Sequence, residues 1–317
     1  MTHSSTGGAR AHSPTRALPV WRSMLYVPSN VDRFIDGAQR RGADAIIVDL
    51  EDSVPKAERP QARRNLQTTA TKVARGGDDV VVRINRPWRE TMLDLEAAVL
   101  PNVQALALTK VDSADHVRLI AEVVNELEAE RGMPHGAIQF LVLIETAAAF
   151  FRIQEIAAAD PRIVAMTLGG EDFALSVGMI PNADGLFMPK QQLAIAARAD
   201  GIMPLGFIGT VADYDDLDAF RLTVQRSRRI GFLGASVIHP SQVAILNEEF
   251  RPSAAEIDHG RRVVAAYDKA LSEGVGAVTV DGKMIDVPIV ERARILVERE
   301  EAIAAREARM QAMAANL

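Results

Sequence analysis

The chain has 317 residues, of which 48% are hydrophobic and 25% charged, and it carries a formal net charge of −6. That length fits one α/β barrel of roughly 250 residues plus an appendage, and the acidic balance gives no footprint for nucleic acid, so substrate anions must be met by local arginines. The lack of cysteine excludes disulfides, thiolate metal sites and a cysteine nucleophile.

Residues 1–18, rich in Ser, Thr, Gly and Ala with two arginines, lack the apolar core of a secretory signal and read as a flexible tail, with an organellar transit segment the weaker alternative. From there strand-like and helix-like runs alternate. SMLYVPS (23–29) follows Arg22, a candidate substrate or phosphate contact, and precedes a predicted helix over 31–41. AIIVDLE (45–51) ends in Glu51 and Asp52, with a helix over 57–75. VVVRIN (80–85) places Arg83 and Asn85 at the close of an apolar run. A guanidinium there can clamp a carboxylate with two parallel hydrogen bonds, or pair with Asp49, Glu51 and Asp52; both roles are open. A helix over 90–99 leads to ALALTK (105–110), ending in Lys110, and a helix over 113–131. FLVLIE (140–145) ends in Glu145 and precedes a helix over 147–159. VAMTLGG (164–170) runs into Glu171 and Asp172, with a helix over 188–200. MPLGFIG (203–209) runs into Thr210 and a helix over 213–230, and GASVIHP (234–240) carries His239 before a helix over 241–250. Pro240 and Ser241 look like a helix start, so His239 is read first as holding that turn rather than as catalytic.

Eight short, two-sided apolar runs, each followed by a helix, predict a (β/α)8 TIM barrel over 19–250 with a C-terminal helical extension over 251–317. A doubly wound sheet is the alternative, but no GxGxxG follows the first run and no P-loop occurs. The apolar runs are broken by charge well short of the ~18 residues a membrane helix needs, and cytoplasm is the expected compartment. Barrel active sites sit at the C-terminal rim of the strands. There the sequence places Ser29, Glu51, Asp52, Arg83, Asn85, Lys110, Glu145, Glu171, Asp172, Thr210 and His239. Glu145 and Asp172 are the candidate metal ligands, and oxygen donors without nearby His or Cys suit Mg²⁺. Gly169 and Gly170 would let backbone approach a ligand closely. Arg83, Arg22, Gly170 and Glu171 are the candidate substrate contacts.

Together RSMLYVPSN, GADAIIVDLEDSVP, VVVRIN, LVLIETAAAF, GGEDFALSVGM, IHPSQV and VDGKMIDVPIVERARIL resemble the citrate lyase beta-subunit-like branch of the HpcH/HpaI aldolase superfamily, from about Arg22 to Leu296. The resemblance implies a Mg²⁺-dependent barrel that cleaves or forms carbon–carbon bonds in CoA or acyl-carrier thioesters. It implies metal on Glu145 and Asp172, the oxo acid on Arg83, and a trimer, sometimes a hexamer, in which the C-terminal extension presents Asp286 to a neighbour's site. The stripe Ile289, Ala293, Leu296 and Ile303 over 288–304 has the period of a packing helix in that extension. Two positions depart from the pattern: Thr109 stands where relatives usually show proline, and Ile208-Gly209-Thr210 replaces an Ile-Asp pair, removing a rim acid. The expected reaction is cleavage of a 3-hydroxyacyl-CoA such as malyl- or citramalyl-CoA into acetyl-CoA and a 2-oxo acid. Asp286 would serve the enolate, and Glu51 or a metal-bound water would take the hydroxyl proton. A thioester hydrolase on the same scaffold, or a subunit acting on an acyl-carrier thioester within a complex, is the alternative.

Overall fold

The computed structural model describes residues 18–210 and 215–315. All but the last residue of the expected tail therefore lies outside the described residues, as do the first two residues of the helix expected from 213. Eight parallel strands alternate with helices: β1 (Ser23–Pro28), α1 (Asp32–Ala38), β2 (Ala45–Asp49), α2 (Arg59–Val73), β3 (Asp79–Ile84), α3 (Trp88–Ala98), β4 (Ala105–Leu108) and α4 (Ala114–Glu130). The second half continues with β5 (Gln139–Ile144), α5 (Ala147–Phe150), α6 (Ile153–Ala157), β6 (Ile163–Leu168), α7 (Gly170–Val177), α8 (Ala183–Ala199), β7 (Met203–Leu205), α9 (Leu217–Arg229), β8 (Ala235–Val237) and α10 (Ser241–Glu249). Strands pair in chain order from β1 to β7, and β8 pairs with β1. A parallel bridge between Leu205 and Gly234 joins β7 to β8 and closes the ring, so the architecture is the (β/α)8 barrel expected from the sequence.

Strand residues alternate between two apolar layers, as a period of two requires. In β2, Ala45 and Ile47 face the barrel interior with Met24, Val81, Ala107 and Leu141, while Ile46 and Val48 face the helices with Val80, Val82 and Leu106. Both faces are covered, which is why these runs read as continuous hydrophobic segments rather than as half-polar ones. Gly234 is required at the closure: a Cβ there would stand 1.8 Å from the carbonyl oxygen of Trp21. Two predicted boundaries are revised. The helix expected over 147–159 is two short ones, and α7 occupies a segment read as a rim loop.

After the barrel come α11 (Ala254–Ser272), an antiparallel hairpin of β9 (Val278–Val280) and β10 (Lys283–Ile285), and α12 (Val287–Ala314). Ser253 and Glu256 form a reciprocal capping box that starts α11. Asp281 and Gly282, with φ of 49° and 74°, make the tight turn of the hairpin. The 28 residues of α12, longer than the predicted 288–304, span about 42 Å. Its first half packs on α11, where Gly260 meets Ala293, Leu296 and Val297. Its second half crosses the N-terminal end of the barrel: Arg306 donates to Asp79 (3.0 Å) and to the carbonyl of Asp44, and Glu307 accepts from Arg22 (2.8 Å). Among the described residues no helix is long and apolar enough to cross a membrane.

Candidate active site

At the opposite, C-terminal end of the strands a cavity of about 880 Å³ opens, lined among others by Tyr26, Arg83, Glu145, Gly169, Asp172 and Lys190. Arg83, at the end of β3, is set by acids from the loop after β2. Its Nε and Nη2 donate to the two oxygens of Asp49, 2.6 Å each, and Nη1 lies 3.0 Å from Glu51. The forked edge expected for a substrate is therefore occupied by Asp49, Nη1 is shared between Glu51 and, at 3.7 Å, Asp52, and Arg83 lines the cavity with these acids around it. The Tyr26 ring lies 4.9 Å beneath the guanidinium. Burial pushes the Tyr26 hydroxyl up to about 12, so it stays protonated, while the Arg83 pKa is raised against the opposing effect of burial by the hydrogen bond and charge of Asp49. Burial acts to raise the Asp49 carboxyl, but the hydrogen bond and charge of Arg83 outweigh it and hold it below its ordinary value.

Glu51 is held from both sides, by Arg83 and by Nζ of Lys110 at 2.7 Å. Burial raises its carboxyl above the ordinary value even so. With both oxygens engaged and the side chain 4% exposed behind Arg83, its geometry fits positioning of Arg83 and Lys110 better than proton abstraction. Lys110 has a left-handed backbone, φ 49°, which turns its N–H onto Glu145 while its ammonium reaches Glu51.

Glu145 is the first residue past β5, 4% exposed. Burial and then the nearby charges of Asp172 and Glu51 lift its carboxyl to about 7, against the Lys110 N–H. Asp172 stands in the first turn of α7 and lines the same cavity. Two mutually repelling carboxylates, one of them buried, form a site that a divalent cation would stabilise. Among the described residues no trio of His, Cys, Asp and Glu is gathered, which leaves the remaining positions of such an ion to substrate and water oxygens, the habit of Mg²⁺. Gly169 makes room for the arrangement, because a Cβ there would lie 2.7 Å from Cγ of Glu145.

Gly170, Glu171, Thr210 and His239 also line the cavity. His239 hydrogen-bonds Ser241 (2.7 Å) at the start of α10, the turn-holding role read from the sequence. Arg22 requires a correction. It precedes β1, so it lies at the far end of the barrel, 2% exposed, with Nε and Nη2 on Asp44 at 2.9 Å and Nη1 on Glu307; it is a buried structural ion pair and touches no part of the cavity. Asp286 lies at the N-cap of α12 and lines none of its own chain's cavity, and its Oδ1 is buried without a hydrogen-bond partner. The sequence reading missed Tyr26 and Lys190. Lys190 had a signal: it is a lone cation on the stripe Leu186, Leu193, Ala194 and Ala197 of α8, all buried.

Residues 22–240 match the HpcH/HpaI aldolase/citrate lyase family. The chain is 32% identical over 303 residues to the L-malyl-CoA/beta-methylmalyl-CoA lyase of Rhodobacter capsulatus, covering 88% of this chain and 94% of that one. It is 33% identical over 289 residues to citrate lyase subunit beta of Escherichia coli K12, covering 90% and 95%. Among solved structures, CitE from Mycobacterium tuberculosis in complex with magnesium, acetoacetate and coenzyme A superposes with a TM-score of 0.67 at 29% identity, covering 88% of this chain and 97% of that one. A barrel with two acids and an arginine at one rim, matched over most of its length to two such lyases, belongs to the HpcH/HpaI aldolase/citrate lyase family.

Proposed function

We infer that the chain is a Mg²⁺-dependent carbon–carbon lyase that cleaves, and in reverse forms, a 3-hydroxyacyl-CoA thioester, yielding acetyl-CoA and a 2-oxo acid. The observation that carries this is the convergence of Glu145, Asp172 and Arg83 on one cavity. Glu145 and Asp172 would hold Mg²⁺, which when bound polarises the oxo-acid oxygen as charge develops on it. Arg83 would bind the substrate carboxylate, its guanidinium oriented by Asp49 and Glu51. Asp286 would exchange a proton with the acetyl-CoA enolate carbon. General acid–base help of this kind is worth ~10²–10⁴-fold.

Asp286 is separated by about 30 Å of helix from Arg306, which touches the barrel's underside, and the cavity lies at the other end. That Asp286 lines none of its own chain's cavity supports a neighbour's site as its target; a homotrimer, in which each extension completes an adjacent barrel, is what the family resemblance adds. The experiment is turnover of malyl-CoA, citramalyl-CoA and citryl-CoA by the purified chain. The expected result is Mg²⁺-dependent release of acetyl-CoA and oxo acid, abolished by EDTA, by Glu145→Ala and by Asp172→Ala. Release of free CoA instead would mark a hydrolase, and no turnover of any CoA ester would overturn the reading.

A further inference from the structure

Lys190 is placed as few lysines are. Its side chain runs through the core from α8 and is 5% exposed, yet it contributes to the wall of the reaction cavity. Nζ donates to the carbonyl oxygens of Phe207 and Gly209, 2.6 Å each. These partners are neutral, and among the described residues no carboxylate forms an ion pair with it; the exposed Glu171 acts on it only through its charge. An ammonium has three donors, and two are accounted for. Nζ also lies 3.7 Å from where a Cβ of Gly170 would stand, at the N-terminus of α7, where the helix dipole repels a cation. Burial without a counter-charge is costly and pushes the ammonium down to about 7.

Its position in the ring gives that cost a direction. Phe207 and Gly209 follow β7, and Arg83 ends β3. In the closed order these strands are four steps apart either way, so the two cationic groups face each other across the mouth, with Glu145 and Asp172 along one side.

We propose that Lys190 is a specificity-determining residue that receives a second anionic group of the substrate, a carboxylate on the oxo-acid portion distal to the one met by Arg83. The proposal rests on the oxo-acid reading above and narrows it to a citryl-type thioester, whose oxo-acid half carries two carboxylates where those of malyl- and citramalyl-CoA carry one. Its logic is that of a preorganised counter-ion: the Phe207 and Gly209 carbonyls hold the ammonium in place, and the ligand supplies the missing charge, so a dianionic oxo acid gains an interaction that a monoanionic one cannot make.

Calorimetric titration of the Mg²⁺-loaded full chain with pyruvate and with oxaloacetate tests it without requiring turnover. The expected result is at least about a tenfold preference for oxaloacetate, falling toward unity in Lys190→Met and partly kept in Lys190→Arg. Because the readout is a ratio of two affinities in one protein, a general loosening of the site cancels. Equal affinities in the native chain would overturn the proposal even if neither variant folds, as would a ratio that survives Lys190→Met. Failure of both oxo acids to bind a chain that still binds Mg²⁺ would sink the oxo-acid reading itself.

Discussion

A methyl group on residue 169 would stand 2.7 Å from Cγ of Glu145 and 2.9 Å from its Oε1, a separation no side chain tolerates, so Gly169→Ala must displace the glutamate while leaving every ligand atom present. The expected result is Mg²⁺ affinity weaker on the order of tenfold, as for changes that misorient a ligand, with the melting temperature of the metal-free chain nearly unchanged; an unaltered affinity by calorimetry would show that Glu145 has room to spare. The acids and Arg83 were legible because charge ending an apolar run is costly unless something compensates it. Arg22 was misread although the same logic held the correction: in a parallel barrel a residue before the strand lies at the end away from the active rim. The Asp49–Arg83 pairing was open but not decided, since sequence does not give the register that sets these two residues side by side.

At the scale of elements, the eight strands were legible and their ends were not. Predicted runs extended to Glu51, Lys110 and Glu145, whereas the strands stop at Asp49, Leu108 and Ile144; the apolar composition persists a little past the last ladder bond, so the functional residues stand in the first loop positions. α7 was missed because Gly169-Gly170 reads as loop, though Gly178 in the left-handed conformation is a C-terminal signal that could have been used. The hairpin leading to Asp286 can be tested apart from the barrel. The Asp286 side chain makes no capping hydrogen bond to α12, so Asp286→Asn should keep the helix and Mg²⁺ binding while lowering kcat by ~10²-fold or more. Mixing this variant with an inactive Glu145→Ala chain should restore part of the activity, because some mixed assemblies pair an intact barrel with an intact Asp286. Verified mixed oligomers without rescue would assign Asp286 elsewhere.

Across the whole molecule, charge is concentrated at the sealed end as well as at the rim. Asp78, just before β3, is 4% exposed with both carboxylate oxygens lacking a hydrogen-bond partner. Burial lifts its carboxyl to about 7, with Asp79 and Asp44 adding to the rise and Arg306 opposing it. The folded protein therefore holds a proton that the unfolded chain releases near pH 4. The contribution is harmless below that, and stability falls as pH climbs toward 7. Asp78→Asn should raise the melting temperature more at pH 8 than at pH 5, and equal shifts would mean that the native carboxyl is already ionised. The same end of the barrel has a consequence for how the protein is made. Arg22 and Asp44 enter the chain early, but Arg306 and Glu307, which complete their cluster, follow Asp44 by some 262 residues. At ~5–20 residues per second, the ribosome exposes a barrel with an open floor for many seconds before its stopper emerges. A chain stopped inside α12 before Arg306 would keep the Arg22–Asp44 pair and lose the two charges that complete its cluster, so closure of the barrel floor waits on the second half of this helix.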